Sequence, residues 1–238
     1  MKREDIGIIK MEVERNEPPK NGYLQKIRKL CSDRGIVLIF DECTSGFRET
    51  YGGLHLKYGV NPDMAMFGKA LGNGYAITAV IGKREVMEAA QRSFISSTFW
   101  TESVGPAAAL KSLEVMKREK SWDRITQTGI SIRKGWQRLA DIHGLEIEHW
   151  GLPALAGFSL KSAHALAYKT LITQEMLNKG YLAGNCVYSC IEHKPDVVET
   201  YFEFLDQVFS LVKQCEEGCD PKTLLNGPVC HSAFRRLN

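Results

Sequence analysis

Two short stretches limit the folds open to this chain. Residues 36–40 read Ile-Val-Leu-Ile-Phe and run straight into Asp41-Glu42; residues 64–67 read Met-Ala-Met-Phe and run into Gly68-Lys69. A short, unbroken apolar run bounded by turn residues marks a strand covered on both faces, as in the parallel sheet of an α/β protein. Residues 6–12 read as an earlier strand ending in an acid, Glu12. Residues 23–34 read as a helix, with Leu24, Ile27, Leu30 and Cys31 on one stripe and Gly35 as the stop. Strand, helix, strand in that order implies a parallel crossover. Ligands in such sheets bind beyond the carboxyl ends of the strands. The pattern therefore puts Asp41 and Lys69 at the same sheet edge.

An acid and a lysine so placed can hold two ends of one cofactor. Their chemistry suits pyridoxal phosphate, which takes a lysine as a Schiff base and an Asp as partner of its pyridinium nitrogen. Each residue alone keeps an ordinary alternative: Asp41 as a turn or capping acid, Gly68-Lys69 as a surface turn. A phosphate-binding P-loop fails, because Gly68-Lys69 lacks the Gly-rich spacing that must precede it.

Composition removes other classes. The net charge of +3 and the absence of a Lys/Arg run argue against nucleic acid. No apolar stretch is long enough to span a bilayer. Met1-Lys2-Arg3-Glu4-Asp5 has a basic start without an apolar core, so it does not read as a signal peptide. Seven cysteines without a dense framework read as reduced thiols in a cytoplasmic protein. The pairs Cys186/Cys190 and Cys215/Cys219, with His193 and His231, do not match zinc spacings, and no metal is expected.

Beyond the first strands, residues 76–81 read as a strand, 84–90 as a short helix, and 106–116 and 121–139 as longer helices. The texture then changes. Strands at 145–150 and 154–160 alternate with helices at 166–178 and 197–212, the last opening on a capping pair, Asp196 and Glu199. Two domains follow, 1–119 and 120–238, with 219–238 a surface tail.

The motifs in their order go further. Leu38-Ile39-Phe40-Asp41-Glu42, then Gly46-Phe47-Arg48, then Tyr58-Gly59-Val60-Asn61-Pro62-Asp63, then Phe67-Gly68-Lys69-Ala70-Leu71-Gly72-Asn73-Gly74 resembles the signature of class III pyridoxal-phosphate aminotransferases. The likeness leans toward glutamate-1-semialdehyde aminomutase and its relatives. It runs from about residue 6 to 212 and is strongest over 12–106. It implies fold type I: a partial large domain with a mostly parallel sheet, then a smaller C-terminal α+β domain. It implies amino-group transfer through a lysine Schiff base, between small-molecule donors and acceptors, with pyridoxal 5'-phosphate as cofactor. A homodimer, or a complementary N-terminal half, is the expected partner. The competing reading is an inactive remnant that only folds or dimerises.

The resemblance also assigns roles. Lys69 is the Schiff-base lysine, and Asp41 keeps the ring nitrogen protonated. Cys43 stands where the family carries an apolar residue against the ring. Thr101, five residues before Pro106, matches a threonine that reaches the partner subunit's cofactor phosphate. The nearby hydroxyls of Ser96, Ser97 and Thr98 compete for that part. Gly68 and Gly72 leave room around the ring. Glu12 is structural, as are Glu42 and Arg48, expected to pair and fix the loop. Tyr51, Tyr58 and Trp100 line either core or pocket.

Roughly the first half of the family's length has no counterpart, including its phosphate-cradling Ser-Gly-Thr loop. A family sheet has seven strands, and four contiguous ones are read here, leaving two unpaired edges. A split or truncated enzyme half is the expectation.

Overall fold

The computed structural model describes residues 5–96 and 100–232. The chain divides into two units, Met1–Ile125 and Thr126–Asn238.

The first unit opens as the sequence pattern requires. Strand β1 (Ile8–Glu12) leads through helix α1 (Tyr23–Arg34) to β2 (Val37–Asp41), and the two strands pair in parallel, Ile8 opposite Val37 and Glu12 opposite Asp41. Gly35 ends α1 in the left-handed region at φ 64, where a side chain would be strained. After the short helix α2 (His55–Tyr58), β3 (Met64–Phe67) joins β2 in parallel with Asp41 opposite Met66. Strand β4 (Ala79–Gly82) then returns antiparallel beside β3, giving a four-stranded sheet ordered β1-β2-β3-β4. It starts three residues later than its apolar pattern suggests, because residues 72–78 are spent on the turn out of β3. Helices α3 (Arg84–Met87) and α4 (Val104–Glu119) follow.

The pleat sorts the sheet's residues. Leu38, Phe40, Ala65 and Phe67 point to one face and are buried, the last two clustered with Leu71 and Ala109, with Leu113 packed alongside. The opposite face carries Ile8, Lys10 and Glu12 of β1, Val37, Ile39 and Asp41 of β2, and Met64 and Met66 of β3; all are half-buried or exposed. Asp41 ends that second face.

Helix α5 (Ser121–His143) contains the division between the units. In the second unit, β5 (Ile147–Trp150), β6 (Leu155–Leu160) and β7 (Cys186–Tyr188) form an antiparallel sheet in that order. Helices α6 (Ala165–Asn178) and α7 (Pro195–Glu216) complete a core centred on Trp136, Phe158, Tyr168 and Phe209. Helix α7 begins earlier than the Asp196/Glu199 pattern suggests. Lys194 is its N-cap without a side-chain bond, and Pro195 starts the first turn, where its fixed φ and missing N–H cost nothing. Strand β7 carries no sequence signal of its own; three residues pair along β6 because that edge is open to them.

Candidate active site

Asp41 is the last residue of β2 and Lys69 lies two residues past the carboxyl end of β3; the two strands run side by side and parallel. The Glu42 amide donates to the Met66 carbonyl at 2.9 Å, continuing the ladder one residue beyond Asp41. Glu42 itself turns inward and is fully buried. Its carboxylate accepts from the Ser45 hydroxyl at 2.5 Å, the His55 amide at 2.9 Å and His55 Nδ1 at 2.8 Å. Those bonds outweigh burial and hold the Glu42 carboxyl below its ordinary range. Both oxygens are thus engaged by Ser45 and His55, which tie down the loop on which Cys43 and Thr44 sit. Gly46 lets that loop lie on the end of β3: a Cβ there would stand 2.7 Å from both the Glu42 carbonyl and the Phe67 ring.

Lys69 enters the site on strained backbone. Its φ is 44, in the left-handed region that a lysine adopts at a cost of about 1 kcal/mol. Its carbonyl accepts from the amides of Gly72 and Asn73 at 3.1 and 3.0 Å, which holds the turn. The Lys69 amine donates to the Thr44 hydroxyl at 2.5 Å, a neutral partner. Asp41 Oδ1 accepts the Cys43 amide at 3.1 Å, and Oδ2 pairs with Lys10 Nζ at 2.8 Å. Lys10 is the main reason the Asp41 carboxyl sits below the usual carboxylate range. The Cys43 thiol is pushed up by burial and by Asp41, while Lys69 and Lys10 pull it down. Cys43 is therefore the neighbour that Asp41 and Lys69 share.

Thr101 stands apart. It is exposed in the turn before α4, and no hydrogen bond links it to Asp41 or Lys69 among the described residues. The amides of Val104 and Gly105 at the start of α4 donate to the Glu102 carboxylate. Ser97 and Thr98 lie outside the described residues. The aromatics divide: Tyr51 packs on Phe47 and Trp122, Tyr58 donates to Glu14 at 2.5 Å, and Trp100 is exposed.

These residues fit pyridoxal phosphate. The lysine amine is bonded to a hydroxyl and the acid is held ionised. Buried Gly68 sits beside Cys43 without crowding: a Cβ there would make ordinary contacts with Thr78 Cγ2 at 3.5 Å and with Cys43 Sγ and the Ile77 carbonyl oxygen at 3.8 Å. Gly72 has no such room. A Cβ there would collide with the Tyr75 carbonyl, so this glycine serves the turn.

The profile of the family described as aminotransferase class-III matches residues 16–209. The chain belongs to that family. Class-III aminotransferases are pyridoxal-phosphate enzymes, and the relatives are consistent with one another. The chain is 38% identical over 157 residues to a 3-aminobutyryl-CoA aminotransferase of Cloacimonas acidaminovorans, covering 66% of this chain and 38% of the relative. It is 28% identical over 214 residues to a glutamate-1-semialdehyde 2,1-aminomutase of Natranaerobius thermophilus, covering 83% and 50%. Its fold resembles the FumI protein of Sphingopyxis sp. MTA144, solved in its pyridoxal-phosphate internal aldimine form, at a TM-score of 0.84 and 23% identity, covering 93% and 56%. The chain thus spans half the length, or less, of these two sequence relatives.

Two site residues escape sequence reasoning. Thr44 lies inside a turn whose only sequence signal is its ends, Asp41 and Gly46. Lys10 did leave a signal: it breaks the apolar run of β1.

Proposed function

We propose that this chain carries the lysine-bearing part of a pyridoxal-phosphate-dependent aminotransferase or aminomutase of class III. The observation that carries the reading is the shared position of Asp41, Cys43 and Lys69 at the ends of two adjacent parallel strands. Lys69 is the covalent attachment point, and its freed amine moves the proton at the substrate carbon. The Thr44 hydroxyl holds that amine in place. Asp41 holds the proton on the ring nitrogen, and Cys43 packs against the ring as a small hydrophobe. Bound there, pyridoxal phosphate supplies a reactive aldehyde and a ring that draws electron density from the substrate carbon.

The rest of the family's length, on this polypeptide or another, supplies the phosphate loop. Thr101 is the hydroxyl offered to the phosphate of a second copy. Phe94, Trp100 and Leu110, all strongly exposed, support pairing with such a copy. The relatives' activities, on 3-aminobutyryl-CoA and on glutamate-1-semialdehyde, support small-molecule amino and oxo compounds, free or as thioesters, as donor and acceptor. All seven cysteines are free, which supports a cytoplasmic setting. No helix among the described residues is long and apolar enough to cross a membrane.

The test is incubation with pyridoxal phosphate, alone and with the complementary portion of the family. A visible absorption band is expected, with borohydride fixing the cofactor's mass onto Lys69. Lys69→Ala should abolish both. A protein that stays colourless in both settings leaves only the reading of a folded or dimerising module.

A further inference from the structure

Lys10 is an unusual residue for its strand. It interrupts the run Ile8-Ile9-Lys10-Met11, and its register partner is Ile39. It therefore shares a sheet face with Ile39 and, two residues along, with Asp41. From that diagonal position its ammonium reaches Asp41 Oδ2 at 2.8 Å. Oδ1 accepts the Cys43 amide at 3.1 Å. Each carboxylate oxygen has a second lone pair, so one more donor can join without displacing either partner.

We propose that Lys10 is a positioning residue for Asp41, sharing its carboxylate with the cofactor's ring nitrogen and so setting how firmly that nitrogen holds its proton. The inference rests on the reading above that Asp41 faces the ring nitrogen. A carboxylate already paired with one cation offers a weaker negative potential to a second. The charged and titratable groups around Asp41 are Lys10 and Glu12 from β1, Cys43 from the loop after β2, and Lys69, which acts on Cys43 from the end of β3. Among those groups Lys10 is the only one bonded to a carboxylate oxygen through a full positive charge. The Lys10 side chain is 51% exposed and that of Asp41 25%, so solvent screens the pair. Lys10 is then a moderate attenuator of Asp41.

The experiment uses the full chain in three forms: wild type, Lys10→Met and Lys10→Arg. First, without cofactor, carbon NMR follows the Asp41 carboxyl through acid pH. Lys10→Met should raise its midpoint toward the ordinary aspartate value, and Lys10→Arg should leave it near wild type. Second, the chain is loaded with cofactor labelled at the ring nitrogen, and nitrogen NMR follows that atom from neutral to alkaline pH. Lys10→Met should hold the ring proton about tenfold more tightly, raising the midpoint by about one pH unit. Lys10→Arg, which keeps the cation, should restore the wild-type curve. An unchanged Asp41 midpoint in Lys10→Met overturns the pairing itself. A shifted Asp41 midpoint with coincident ring-nitrogen curves overturns the sharing, while the cofactor reading stands. A chain that takes up no cofactor through Lys69, alone or with the complementary portion added, overturns that reading, and the sharing with it.

Discussion

Asp63 shows how much one side chain can organise. Its carboxylate accepts the Leu38 amide at 2.8 Å and pairs with Arg28 and Lys83, each at 2.8 Å, tying α1, β2 and the end of β4 to the entry of β3. Burial alone would raise its carboxyl, but the amide and the two cations win and bring it to about 2. A folded value below the unfolded one, near 3.9, gives stability that is present above the unfolded value. That stability is lost as pH falls through about 2. It amounts to about 2 kcal/mol. Asp63→Asn should therefore cost about 3 kcal/mol at neutral pH, since it also leaves two cations short of a partner. The gap to wild type should close as urea titrations move from pH 5 toward about 2. A gap of constant size would mean that the cost comes from shape rather than charge. Asp41→Asn belongs to a different category. It keeps an acceptor for the Cys43 amide but loses the charge proposed to face the ring, so turnover should fall by about 100-fold while cofactor affinity changes far less. Comparable losses in both would make Asp41 a binding group only.

At the level of elements, legibility follows periodicity. The 3.6-residue stripe of α1 and the apolar runs of β2 and β3 are local, and their bounds in the fold lie within a residue of the pattern. The lysine and acid at the strand ends could be read for the same reason. What could not be read depends on partners distant in sequence. Strand β7 exists because β6 offers an edge. Thr44 meets Lys69 only after the loop between Asp41 and Gly46 has folded over β3. The glycines inside α5 teach the same lesson. From sequence they count against a helix. In the fold, a Cβ on Gly129 would collide with the Pro153 carbonyl, and one on Gly135 with the Phe202 ring. These glycines let α5 approach the turn before β6 and helix α7 closely. Backbone yields less readily than a ring, so Gly129→Ala should cost about 3 kcal/mol in thermal or urea unfolding, and Gly135→Ala less. Equal, small losses would show that α5 can shift to accept both.

Across the whole molecule, the first unit's sheet is unevenly covered, and this bears on how the site works. Parallel strands such as β1, β2 and β3 are stable when both faces are covered. One face is: Leu38, Phe40, Ala65 and Phe67 are buried. The other, carrying Lys10 and Asp41, exposes 60% of Ile8 and 43% of Val80, with Val37, Ile39, Met64 and Met66 only half-buried between them. An apolar face ending in the acid proposed to meet the cofactor is suited to the family's remaining length, which would bury the aliphatic rows and exclude water from around Asp41. Less water means a lower effective dielectric and a stronger hold on the ring proton. Supplying that length, fused or added, should then do two things together. It should suppress the binding of a hydrophobic dye to this face, and it should tighten cofactor binding at least about tenfold, which corresponds to about 1.4 kcal/mol. Ile8→Lys with Val80→Lys should weaken both effects while leaving the Lys69 attachment chemistry in place. If the chain by itself binds no dye, stays monomeric at micromolar concentration and holds the cofactor as tightly as the supplemented form, the open face is not where the rest of the family docks.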